Sequence, residues 1–122
     1  TAECRALLDE VHDGVRIDGV MVGRAAYQTP WMLSEVDSVL YGESCRTLTR
    51  EAVIAAVEAE VEQYYAADEH VTRAFARHLN GLCQGLSGAR VWRRTLADPK
   101  IIKAEGPNLY RRAWREAFGT DF

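Results

Sequence analysis

Apolar residues recur at helical spacing along most of the chain, and one stretch near the start departs from that pattern. Between residues 50 and 66, Val53, Val57 and Val61 are spaced by four and share one side of a helix. Residues 17–22 instead end in a short apolar run that stops abruptly before a glycine, which is typical of a buried strand. The pattern predicts one strand, at 17–22, and helices at 2–11, 30–41, 50–66, 70–84, 89–97 and 107–118.

Capping residues support these boundaries. Thr29-Pro30 and Thr49 are typical of helix starts, and Gly42 is typical of a helix end. Breaks between helices are expected at Asp13-Gly14, 85–88 and Asp98-Pro99. After the strand we therefore expect a mainly α chain, a bundle of four or five helices joined by short turns.

The other side chains of the 50–66 helix favour structural roles. Glu51, Glu58 and Glu62 lie away from the valine stripe and are expected to form a solvated acidic face rather than a catalytic carboxylate pair. Tyr64-Tyr65 continue the stripe and are expected in the core, with one hydroxyl exposed.

Cysteine and histidine usage favours neither a metal site nor a disulfide framework. Cys4, Cys45 and Cys83 cannot pair off completely and lack metal-ligand spacing, which favours a reducing, cytoplasmic setting. Cys83 shares an apolar stripe with Phe75 and Leu79, so we expect it to pack. No apolar run is long enough to predict a membrane span.

Charge is divided unevenly between the two halves of the chain. Residues 1–69 hold 5 Lys or Arg against 14 Asp or Glu, whereas residues 70–122 hold 10 against 4. Such asymmetry indicates a polyanionic partner for the second half, with a merely arginine-rich solvated surface as the alternative.

The predicted helix at 89–97 concentrates this positive charge. Arg90, Arg93 and Arg94 fall within about 100° of its circumference, opposite an inward face with Trp92. Clustered guanidinium groups repel one another, but each releases counterions when it binds a phosphate backbone. We therefore predict contacts to nucleic-acid phosphates from Arg90 and Arg93 and, by proximity in the pattern, from Arg94, Arg73, Arg77 and Lys100.

A second candidate site follows the predicted strand. Gly23-Arg24 lies where a strand gives way to a helix start. Glycine lets backbone N–H groups approach a ligand, and arginine offers a two-pronged donor for a phosphate. By itself this pair is a weak signal for an anion site.

Two stretches of the sequence resemble one enzyme family. Residues 19–31 (GVMVGRAAYQTPW) look like the last barrel strand and following loop of the tRNA-dihydrouridine synthases, flavoenzymes that reduce uridine in tRNA. Residues 78–94 (HLNGLCQGLSGARVWRR) resemble the RNA-binding helical domain of the A-type branch. They occur in the order and at about the separation that the family shows.

The resemblance implies a division of labour. Residues 1–42 would form the C-terminal end of an FMN-binding (β/α)₈ TIM barrel, with Gly23 and Arg24 at the FMN phosphate. Residues 43–122 would form the helical tRNA-binding domain, with Arg90 and Arg93 matching the family's motif arginines. Thr29 stands where the A-type pattern usually has Asn, and both residues are competent caps.

The resemblance also implies what these 122 residues lack. None of the three cysteines matches the family's catalytic cysteine, so we expect no catalytic residue here, and no reductase activity from this chain alone with FMN and NADPH. A lone strand and the missing initiator methionine likewise lead us to expect a piece of a longer chain. The complete enzyme would be a cytoplasmic monomer that acts in the tRNA D-loop.

Two other interpretations stay open from the sequence. One is a free-standing helical RNA-binding module without catalytic activity. The other is a different flavin- or phosphate-binding barrel, such as a dihydroorotate-dehydrogenase-like enzyme, although a small-molecule barrel has no use for the arginines of residues 89–97.

Overall fold

The computed structural model describes residues 1–44, 48–65 and 68–122 and is mainly α-helical, as predicted. Its α-helices are α1 (Ala2–Asp9), α2 (Arg24–Gln28), α3 (Val36–Tyr41), α4 (Arg50–Tyr65), α5 (Glu69–Leu79), α6 (Ala89–Ala97), α7 (Pro99–Glu105) and α8 (Leu109–Phe118). Short 3₁₀ helices precede α3, at Pro30–Glu35, and α8, at Gly106–Asn108.

The strand predicted at 17–22 is wrong. Those residues pair with no other described segment, and the sheet is a small hairpin of β1 (Val11–His12) and β2 (Val15–Arg16). Asp13 and Gly14 turn the hairpin with φ of 50° and 79°, the positive values that a tight two-residue turn requires. Because Val11 and His12 pair with β2, α1 ends earlier than predicted, at Asp9.

Most other boundaries follow the predicted caps. The Thr49 hydroxyl accepts from the N–H of Ala52 at 3.2 Å, and Gly42 ends α3 in the left-handed conformation with φ of 68°. The Thr29 side chain, by contrast, makes no capping hydrogen bond, and a 3₁₀ helix follows it. The predicted helix at 70–84 ends as α5 at Leu79, with turns beyond it.

Helix α7 was missed because Asp98-Pro99 has two functions. It ends α6, as predicted, and it also begins the next helix. The Asp98 carboxylate accepts from the N–H of Lys100 at 2.8 Å, and Pro99 occupies the first turn.

The core is built around α6 and α8. Trp92 is fully buried, meets Trp114 edge-to-face with ring centroids 6.3 Å apart, and donates from Nε1 to the Leu79 carbonyl at 2.9 Å. The expectation that Trp92 faces inward is confirmed. From the other side, buried Tyr110 donates to the Thr72 carbonyl at 2.9 Å, which ties α8 to α5.

Two assignments on α4 are wrong. Glu58 is only 7% exposed and pairs with Arg111, so it does not belong to a solvated acidic face. Tyr64 is 62% exposed rather than in the core. The Tyr65 side chain lies outside the described residues. Of the predicted stripe, Val61 is buried and Val53 and Val57 are partly buried against the core, and Ile54 and Glu58 complete the buried face of α4.

The N-terminal segment docks on the bundle beside Gly81. A Cβ at this position would overlap the Gln28 carbonyl and lie 2.9 Å from Cδ of Pro30, so only glycine allows the approach. Nearby, the Arg50 guanidinium lies 4.1 Å from the centre of the Trp31 ring, and its Nε donates to the Leu82 carbonyl at 2.9 Å. These contacts hold α2 and the following 3₁₀ helix against α4 and the end of α5.

Candidate nucleic-acid interface

The arginines of α8 are neutralised by carboxylates. Arg111 pairs with Glu58 at 2.7 Å, and Arg115 pairs with Asp121 at 2.8 Å. Arg112 bridges two carboxylates, those of Glu105 at 2.6 Å and Glu116 at 3.0 Å. These three arginines are therefore not open cationic groups, although their sequence positions predict exposure.

The six cations predicted to contact phosphates behave differently. All are exposed, and none forms an ion pair within the part of the chain that the structure describes. We call them the basic face: Arg73, Arg77, Arg90, Arg93, Arg94 and Lys100. No carboxylate lies at contact distance from these charges in the described chain, so the face presents positive charge to solvent.

Helix α6 separates the arginines from the core as the periodicity predicts. Ala89, Trp92 and Leu96 are buried, whereas Arg90, Arg93 and Arg94 are exposed. Arg93 is further oriented by its Nη1, which donates to Oε1 of Gln84 at 3.0 Å. Gly88 packs tightly on α8, with Cε1 of Phe118 2.6 Å from where a Cβ would stand, so the start of α6 has a fixed position.

Arg77 and Arg93 both line a groove of about 610 Å³ between the end of α2 and helices α5 and α6. We call it the α2 groove. Tyr27, Asn80 and Gln84 also line it. Arg77 also lines a smaller cavity of about 120 Å³, together with Arg73. Arg73, Arg77 and Arg93 thus border adjoining hollows, which Arg90, Arg94 and Lys100 do not line.

Gly23 and Arg24 lie at the start of α2, outside the groove. Arg24 is exposed and has no hydrogen bond or ion pair to any described residue. Tyr27 and Gln28, at the other end of α2, line the groove, about one helical turn away. One short helix therefore connects the two candidate sites.

The groove residues Tyr27, Asn80 and Gln84 were missed by the sequence reasoning. Tyr27 precedes the Thr29-Pro30 helix start, and Asn80 and Gln84 flank an apolar turn, so no single pattern groups them. Gly81 was the available signal, since a glycine within an apolar helical pattern indicates a close backbone approach.

The described residues offer no arrangement typical of a metal site, and their cysteine chemistry is that of a packed thiol. In the described ranges, no three His, Cys, Asp or Glu side chains lie where they could hold a metal ion. Cys83 is buried, as expected of a packing residue, and burial raises the pKa of its thiol to about 11 despite the nearby Arg50. None of the helices in those ranges has the length and apolar character to cross a membrane.

Comparison with known proteins identifies the family. The sequence model of one protein family, dihydrouridine synthase (Dus), matches residues 5–118 of this chain. The chain belongs to the dihydrouridine synthase family. The resemblance carried by residues 19–31 and 78–94 is thereby confirmed, and a different flavin barrel is no longer an alternative.

Several curated dihydrouridine synthases are similar to this chain, and each is called a tRNA-dihydrouridine(20/20a) synthase. The protein from Shewanella oneidensis is 48% identical over 102 residues, 81% of this chain and 29% of its own length. Those from Vibrio vulnificus and Synechocystis sp. are 37% and 34% identical over 80% of this chain and 29% of theirs. The chain thus spans under a third of these relatives, and no solved structure matches it.

Proposed function

We propose that this chain supplies the tRNA-binding surface and an FMN-phosphate contact of a dihydrouridine synthase. The enzyme would reduce uridine to 5,6-dihydrouridine in the D-loop of tRNA, with FMN and NAD(P)H. The observation that carries the proposal is the basic face, six exposed cations that form no ion pair among the described residues. The tRNA named for the curated relatives fits such a surface.

RNA suits the basic face better than a small anion does. Its cations come from α5, α6 and the first turn of α7, and they would contact several phosphates of one strand. Each arginine placed on a phosphate would release counterions, which favours binding and makes it salt-dependent. The exposed side of α6 carries arginines rather than base-reading amides, as recognition of a folded RNA by shape and backbone requires.

Arg24 fits the phosphate end of FMN. Its guanidinium is exposed and unpaired in the described chain, and Gly23 beside it leaves space, with Sδ of Met21 at 3.5 Å from where a Cβ would stand. Gly23 and Arg24 would hold the phosphate, and FMN would supply the hydride for uridine reduction. We assign residues 1–42 to the barrel and residues 43–122 to the tRNA-binding domain.

The alternative is a helical RNA-binding module without reductase activity. It is favoured by the position of the core, since the buried apolar residues of the described chain run from Ile54 to Trp114. Dihydrouridine formation in tRNA by the full-length natural protein, supplied with FMN and NADPH, separates the two: the module would produce none.

The test of RNA binding compares two double variants that remove the same charge. Arg90→Ala with Arg93→Ala should weaken tRNA binding by about 1–3 kcal/mol and lower the salt slope by roughly 2. Arg112→Ala with Arg115→Ala removes two cations that carboxylates already neutralise, and should change binding little. Affinities are measured by titration at several salt concentrations. Equal losses from both variants would mean that only net charge matters, and the assignment of the basic face would be wrong.

A further inference from the structure

We propose that the α2 groove holds one unstacked nucleotide of the bound RNA, with its base against Tyr27 and its phosphate between Arg77 and Arg93. The inference rests on the proposed tRNA binding and adds a subsite that holds a base. The volume of the α2 groove, about 610 Å³, lies within the range of pockets that take small organic ligands.

Tyr27 provides an open aromatic surface at a fixed position. The side chain is 58% exposed, although its ring meets His78 at right angles with centroids 5.7 Å apart. The next residue, Gln28, packs its carbonyl on Gly81, so the backbone beside Tyr27 is held in place. A ring that is both exposed and oriented offers a base a stacking surface without the entropic cost of ordering it.

Two amides provide hydrogen bonds for the edge of the base. Oε1 of Gln84 accepts from Arg93, which leaves the amide N–H groups of Gln84 as donors into the groove. Asn80 also lines the groove, and its amide has no partner in the described part of the chain. Donors of this kind can hold the edge of any base, through a carbonyl oxygen or a ring nitrogen.

The charge of the groove suits a phosphate. Arg77 and Arg93 line it, and its lining includes no Asp or Glu. The comparable hollow beside α8, of about 470 Å³, has Glu105 and Glu116 in its wall, and these carboxylates already occupy Arg112. The α2 groove therefore has both the cations and the free donors that a nucleotide needs.

The test measures binding of short RNAs to the 122-residue chain by fluorescence anisotropy. An oligouridylate of about eight nucleotides is compared with an abasic strand that carries the same number of phosphates. The oligouridylate should bind at least about fivefold more tightly. Tyr27→Ala should abolish this advantage without changing the salt slope, whereas Tyr27→Phe should keep it. Tyr64→Ala is the matched control, since Tyr64 is 62% exposed and lies outside the groove.

A second comparison tests the amides. Gln84→Met should reduce the preference for oligouridylate over the abasic strand, because it removes amide donors from the groove. Circular dichroism confirms that each variant is folded.

The outcomes separate the two proposals. The nucleotide subsite is wrong if the abasic strand binds as tightly as oligouridylate. It is also wrong if Tyr27→Ala has no effect while the Arg90 and Arg93 variant weakens binding. In both cases the basic face would hold only phosphates. An unchanged preference for oligouridylate over the abasic strand in Gln84→Met would overturn recognition through the amides. If neither tRNA nor the oligonucleotides bind, the proposed function fails with the subsite.

Discussion

Arg111 donates to both carboxylate oxygens of Glu58, with Nη2 2.7 Å from Oε2 and Nε 3.3 Å from Oε1, across 53 residues of sequence. The same guanidinium lies 4.6 Å from the centre of the Phe122 ring and donates to the Phe122 carbonyl. One side chain of α8 therefore connects the middle of α4 to the last residue of the chain.

We expect Glu58→Ala to destabilise the fold and Glu62→Ala to leave it nearly unchanged. Glu58 is buried, so its loss removes the main partner of Arg111 and leaves a gap beside α8. Glu62 lies on the same helix but is exposed, and surface substitutions usually stay within about 0.5 kcal/mol. Thermal unfolding should show a midpoint several degrees lower for Glu58→Ala alone. Similar midpoints for the two variants would show that the ion pair contributes nothing.

Glu58 shows why part of the packing could not be predicted from the sequence. The valine stripe places one face of α4 inward, and Val61 is buried as that stripe predicts. At the two earlier turns, however, Ile54 and Glu58 are buried, one position after the partly buried Val53 and Val57. A carboxylate within an apolar stripe is stable only with a partner, and here that partner lies on α8. Local periodicity contains no signal for such a distant pair.

The structure of helix α6, by contrast, could be predicted from the sequence. Its bounds, its buried tryptophan and its exposed arginines all followed from local spacing and from the breaks at Gly88 and Asp98-Pro99. The strand expected at 17–22 failed because a strand depends on a neighbouring backbone, and none of the described residues supplies one. Of the candidate site, the cations were predictable from charge, whereas the α2 groove depends on a tertiary contact at Gly81.

That contact can be tested with a pair of glycine substitutions. Gly81→Ala should cost about 1–3 kcal/mol, because the added methyl group overlaps the Gln28 carbonyl and the backbone must move apart. Gly19→Ala adds the same methyl group where no atom lies within 4 Å, so it should stay within about 0.5 kcal/mol. Chemical denaturation measures both.

Hydrogen exchange locates the effect of Gly81→Ala. Amides of α2 should exchange faster than in the unaltered chain, whereas those of α6 should keep their protection, since only the docking of α2 is disturbed. Equal stability of the two glycine variants, or unchanged hydrogen exchange in α2, would mean that the N-terminal segment does not dock tightly at Gly81.

The pH dependence of stability should include a contribution from Glu116. The Thr95 hydroxyl donates to Oε2 of Glu116 at 2.8 Å, and Nε of Arg112 lies 3.0 Å from Oε1. The Thr95 hydrogen bond, followed by Arg112, lowers the pKa of this carboxyl below its ordinary value of 4.5. A carboxyl whose pKa is lower in the folded state stabilises the fold above its unfolded pKa, and this stabilisation is lost as the pH falls through the folded value.

Glu116→Gln should therefore be less stable than the unaltered chain at neutral pH, with a difference in unfolding free energy that shrinks below pH 4.5. Denaturation between about pH 3 and pH 7 measures that difference, with Glu62→Gln as an exposed control on α4. A difference that stays constant across this range would show that the charge of Glu116 is not what the Thr95 and Arg112 contacts stabilise.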